Sequence, residues 1–445
     1  MKKQLIRPVF LALLSICIFQ CQQEYKELYP ANSEPDRSLT VDISRALEVA
    51  DSYMDLNNSA IKERSLRTTG PSDDQRPSNN KPKKIKRKQT FKDDDGTDLM
   101  HLIEYEGENK EDRGFMIISA DRRMTPIFAR GDTGSFHLDN PGIQIWLSHV
   151  KDQARQGKQQ LNKPEKDIEA LWKDFEKRAD IKAGRISGEP DPQLPPGRNC
   201  ADDWDAFVQP ILQTQWGQGS GYNRYCPSRG CAKAVDCNKA AAGCGPVAIA
   251  QVWNATNLRK PTSLSMFNPL GAQTLNYPFY NLTSYSCASS NTQDMQISAL
   301  IKEAGYWANS DYTFLDCATL TYRTEIKNAF FYTGYSNPGT RVTWDTYENH
   351  ALSELTYGYP AIIDGTKGTD DIGKFHIWVV DGIDTWKHYV EPEDPYAQCI
   401  ETWVKLYHIN WGWYGSDNNY YALGNFFGSA LNYRSYLHAT YGFRP

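Results

Sequence analysis

The chain has 445 residues, 40% of them hydrophobic, enough to build more than one core, which excludes disorder throughout. Its 49 Lys and Arg against 54 Asp and Glu leave a net charge of −5, too small a bias to favour a nucleic-acid partner. The one conspicuous basic run, residues 81–88, is answered by Asp93, Asp94 and Asp95.

The N-terminus carries Lys2, Lys3 and Arg7 ahead of an apolar stretch at 9–19. That stretch is too short to span a bilayer and has the shape of a secretory signal over 1–21, so export is expected. Cys21 falls where a lipoprotein signal places its lipidated cysteine, and a polar tether (22–37) follows, so a lipid anchor to the outer membrane is a second expectation. Gln20 stands where a small residue is usual before cleavage, and the alternative of an incidental cysteine stays open.

Ile43, Leu47, Ala50 and Met54 recur at helical spacing and predict an amphipathic helix over 42–56. Residues 62–96 are charged and rich in Pro, Ser and Asn, the composition of a long loop. Short apolar runs at 99–105, 115–119 and 126–129 predict a small antiparallel sheet. Two helices follow, one carrying Ile145, Trp146 and Val150, the other Ile168, Leu171, Trp172 and Phe175. Residues 38–182 therefore read as one folded α+β unit. The Pro/Gly-rich stretch 183–199 reads as a linker open to processing, with the main domain, 200–445, beyond it.

That second region mixes Trp, Tyr, Gly and Cys. A helix is expected from Cys244, another over 294–304, and strands at 359–363, 376–380 and 404–410. Cys200, Cys226, Cys231, Cys237, Cys244, Cys287, Cys317 and Cys399 would meet an oxidising compartment after export, which favours disulfides over a metal site. If one cysteine is kept as a reactive thiol, at least one more must stay unpaired.

Cys244 sits between Gly243 and Gly245 at the head of an apolar helix, with Pro246 in its first turn. The positive end of the helix dipole there favours thiolate, the form that attacks. A thiolate needs a base, and the base needs an orienting group. His376 opens an apolar strand after a glycine-containing loop, and Asn410 ends another; as cross-strand neighbours the two would lie roughly 5 Å apart. His408 is the rival base, but it is two residues from Asn410 on one strand, roughly 7 Å away, too far to be oriented by it. Trp411 could shield a His–Asn bond from water, and Gln218, between two glycines, could join the Cys244 N–H as an oxyanion donor. The bland readings are a disulfide cysteine, a surface histidine, a core tryptophan and a loop glutamine.

Taken together, Gly217-Gln218-Gly219-x-x-Tyr222-Asn223, Gly243-Cys244, the His376 strand ending in Val380-Asp381-Gly382, and His408-Ile409-Asn410-Trp411-Gly412-Trp413 resemble the streptopain family of bacterial papain-like cysteine proteases. Upstream, Gly114 to Asp121 and Gly134-Ser135-Phe136 resemble that family's inhibitory propeptide. The resemblance implies an α+β papain-like catalytic domain behind an α+β prodomain, with Cys244 as nucleophile, His376 as base, Asn410 as orienter, Trp411 as shield and Gln218 as oxyanion donor. It implies protein or peptide substrates, the prodomain as intramolecular inhibitor, and no cofactor. The chain departs from the family pattern at Lys374-Phe375, Gly245-Pro246 and Asp316-Cys317, which bear on substrate preference. Two other functions fit the residues: a thiol amidase acting on cell-wall peptides, and a non-catalytic surface binding module.

Overall fold

In the computed structural model, residues 39–54, 84–107, 113–186, 204–229, 238–256, 281–314, 317–367, 375–390, 398–424, 426–428 and 436–445 are described. The expected signal, Cys21, the tether, most of the linker, Cys231 and Cys237 lie outside them.

The first helix, α1, runs over 43–54 and starts at Asp42, whose carboxylate accepts the N–H groups of Ser44 and Arg45 at 2.8 and 3.0 Å. Four antiparallel strands follow: β1 (Ile85–Lys92), β2 (Asp98–Tyr105), β3 (Gly114–Ser119) and β4 (Ile127–Gly131). Strand β1 corrects the expectation of a loop through residue 96. It lies at the edge of the sheet, where Lys86, Arg87 and Lys88 face solvent, so its composition reads as loop although its backbone pairs with β2. Helices α2 (Pro141–Gln160) and α3 (Lys166–Lys182) bury the apolar faces that their spacing predicts.

After β5 (Trp204–Val208) come α4 (Cys244–Thr256), α5 (Thr292–Trp307), α6 (Ile326–Tyr332), β6 (Asn337–Thr343), α7 (Trp344–Thr356), β7 (Ala361–Thr366), β8 (Phe375–Val390), β9 (Ile400–Asn410), β10 (Asn419–Tyr421) and β11 (His438–Arg444). The main sheet has the order β1-β2-β3-β4-β10-β9-β8-β7-β11-β6, with β5 pairing to β8. The four N-terminal strands thus continue directly into the C-terminal sheet, joined where β4 pairs with β10.

The apolar interior follows this continuity. One cluster combines α1 to α3, the N-terminal strands and the sheet residues Leu406, Ile409, Trp411 and Tyr421; the other is built by α4, α5, α6 and the far side of β7 and β8. Cys244 belongs to the second cluster and Trp411 to the first, so the candidate site lies between them.

Candidate active site

Helix α4 begins at Cys244 because Gly243 turns the chain with a φ of +93°, a conformation glycine adopts readily. A Cβ there would also stand 3.0 Å from the Thr319 side chain. The approach is fixed from the other side by the Ala242 N–H, which donates to the Gln218 carbonyl at 2.7 Å. Gln218 is therefore held beside the head of α4, with its side chain half-buried. Next to it, the Gly219 N–H donates to the Tyr414 hydroxyl at 2.8 Å.

The Cys244 thiol is buried and faces the backbone N–H groups of Ile377 and Gly245 and its own amide. Burial outweighs those donors and pushes the thiol up to about 11. The helix-start argument for thiolate is thus overridden by desolvation in this state. The neighbouring His376 is buried too, and the loss of water lowers its imidazole to about 4. Its Nε2 donates to the Trp411 carbonyl at 2.8 Å, which leaves Nδ1 with the lone pair.

Asn410 does not oppose His376. The register places Val379 against Asn410, and a bulge between Val380 and Gly382 sets Gly382 against His408. The Asn410 amide donates to the Thr214 carbonyl at 2.7 Å, while its Oδ1 accepts from Gln251 Nε2 at 3.3 Å and from the Gly412 N–H at 3.1 Å. Gln251 in turn accepts from the Thr214 hydroxyl at 2.7 Å. Sequence reasoning missed Gln251, although it lies seven residues after Cys244, on the same face of α4. His408 is occupied elsewhere, with its Nδ1 2.6 Å from Asp381 and its ring edge-on to Tyr420.

Trp411 is fully buried against Trp378 and Tyr421, and its indole donates to the Asp417 carbonyl at 3.0 Å. The start of α2 sits directly on it. Asn140 caps that helix by accepting the Gly142 N–H at 3.0 Å, and its amide donates to Asp417 at 3.2 Å. The His137 N–H also donates to Asp417, at 2.9 Å. Gly142 packs so closely that a Cβ would stand 2.1 Å from the Trp411 ring.

Among the described residues two cysteines are free, Cys244 and the buried Cys226, whose thiol is pushed up to about 12 by desolvation. Cys287, Cys317 and Cys399 are disulfide-bonded. Among the described residues no group of His, Cys, Asp and Glu is arranged to hold a metal ion.

Residues 216–421 match the Peptidase C10 family, and residues 38–154 match the Spi protease inhibitor family. The streptopain of Streptococcus pyogenes serotype M28 is 24% identical over 369 residues, covering 75% of this chain and 78% of that protein. A Prevotella intermedia prointerpain A fragment aligns with 80% of this chain and 97% of its own, at 19% identity and a TM-score of 0.47. Active interpain A from the same organism aligns with 53% of this chain at 19% identity and a TM-score of 0.34.

Proposed function

As the chain belongs to the Peptidase C10 (streptopain) family of cysteine endopeptidases and carries a Spi-type inhibitor segment ahead of its catalytic region, we propose that it is an exported zymogen in which Cys244 is the nucleophile. In the processed enzyme the Cys244 sulfur attacks the scissile carbonyl and its proton passes to His376. The imidazolium protonates the leaving amine, and water then hydrolyses the Cys244 thioester. The Gln218 amide and the Cys244 N–H face the oxyanion, Asn410 orients the imidazole, and Trp411 keeps water from that bond.

The observation that carries this reading is the seat of α2 on Trp411. The N-terminal segment bears on the short stretch that supplies the hydrogen-bond acceptor of His376, while the thiol and imidazole are both neutral at pH 7. Undocking of 38–182, after cleavage within 183–199, frees that stretch, so that Nε2 can exchange the Trp411 carbonyl for the Asn410 amide. The disulfides at Cys287, Cys317 and Cys399 fit an oxidising compartment, hence export through the 1–21 signal, with Cys21 as the point of any lipid anchor. Replacing Cys244 by Ala should leave the chain folded and abolish casein hydrolysis by the processed form; measurable cleavage by that variant refutes the assignment.

A further inference from the structure

The join between the N-terminal and C-terminal sheets rests on three-residue strand β10, with Tyr420 opposite Arg130 and Tyr421 opposite Ala129. So short a ladder gives little selectivity, because any extended strand offers the same backbone groups. A buried charge pair lies at the same place. Arg130 Nη1 donates to Asp384 Oδ2 at 2.6 Å, with the two side chains 2% and 0% exposed. The guanidinium lies 4.6 Å from the centre of the Tyr420 ring and donates to Asp132 Oδ2 through Nη2 at 3.0 Å, while its Nε lies 3.0 Å from Asp132 Oδ1 without forming a hydrogen bond. Among the described residues Asp384 has no such second partner: its Oδ1 is buried with no hydrogen bond. Its charge in the precursor is therefore matched by a residue 254 positions away, on the inhibitor segment.

We propose that Asp384 is the residue by which the catalytic region recognises its inhibitor segment, and that the matching feature is an arginine on the strand that pairs with β10. The reading rests on 38–182 being an inhibitory prodomain. Removing Arg130 leaves the Asp384 charge without water or counter-ion, and removing Asp384 takes from Arg130 its fully buried counter-ion and leaves only the half-exposed Asp132, whereas replacing both by apolar groups of similar volume is close to neutral. A buried pair of this kind selects its partner more than it stabilises the fold. Once the segment has left, Asp384 meets water and needs no counter-ion, so the contact acts on the docked state alone.

The test is a double-mutant cycle in the full chain carrying Cys244→Ala, read by amide hydrogen exchange in β4 and β10. Arg130→Met and Asp384→Leu should each raise exchange there about 10²-fold or more, and the two together should return it to within about tenfold of the parent. If Asp384→Leu does not fold, Asp384→Asn serves in its place and should show the same rise. Exchange unchanged in both single variants, or a double variant no slower than the faster single one, overturns the proposal. A separate outcome bears on the underlying reading: if the unprocessed active chain hydrolyses peptides as fast as the processed enzyme, the zymogen fails, while the exchange cycle still reports on the pair.

Discussion

Gly142→Ala tests how the N-terminal segment bears on the site. The added methyl would stand 2.1, 2.7 and 2.9 Å from three carbons of the Trp411 ring. The ring has nowhere to go: it is fully buried, tied through its indole to Asp417, and packed on Trp378 and Tyr421. The helix must lift instead. Overpacking of this kind costs about 1–3 kcal/mol. The gain in helix propensity from glycine to alanine, about 0.5–1 kcal/mol in a helix interior, is smaller in a first turn. The net loss, about 1–2 kcal/mol, multiplies the undocked population by about 5–30. In the Cys244→Ala background, where no self-cleavage occurs, active enzyme added in trans should therefore process the Gly142→Ala chain about 5–30 times faster than the parent. Gly157→Ala, whose methyl would meet Phe427 at 2.0 Å from the same helix, should act in the same direction. Processing at the parental rate with an unchanged thermal midpoint would show that α2 does not press on Trp411.

Three further predictions concern the site itself. Because burial holds the Cys244 thiol near 11, its alkylation by iodoacetamide in the unprocessed chain should be slow at pH 7 and climb as the pH approaches 11; fast labelling at neutral pH before processing refutes the buried, neutral thiol. In the processed enzyme His376→Ala should reduce turnover nearly as much as loss of Cys244, whereas His408→Ala, removing a histidine held by Asp381, should reduce it far less; an essential His408 would reverse the assignment. Gln251→Leu should lower kcat by about tenfold or more with little change in KM, because it frees Asn410 without touching the thiol. An unchanged kcat would show that the Thr214–Gln251–Asn410 chain does not position the imidazole.

The helices α2 and α3 and the start of α4 were legible because each rests on local signals: a 3.6-residue apolar period, or a glycine and a proline flanking a helix start. The edge strand β1 was not, because its outward lysines and arginine carry the same composition as a loop, and only pairing with β2 distinguishes the two. The expected His376–Asn410 neighbourhood failed on register. A bulge at Val380/Gly382 and the pairing of Val379 with Asn410 put the histidine beyond the end of the β9 ladder, where the Trp411 carbonyl meets its ring. Nothing local to either strand encodes that offset. The Arg130–Asp384 pair and the seat of Gly142 on Trp411 depend on how two distant segments fit, and neither segment shows it alone.

The central claim, that Cys244 is the one reactive thiol of a peptidase, is tested most directly by locating the adduct of an active-site-directed epoxide on the processed enzyme. Among the described residues there are two free thiols, Cys244 at the head of α4 and Cys226 buried elsewhere. Peptide mass mapping should place one equivalent of label on Cys244, none on Cys226, and loss of casein hydrolysis in proportion to labelling. Label on Cys226 with activity lost, or full labelling of Cys244 with activity retained, would contradict it.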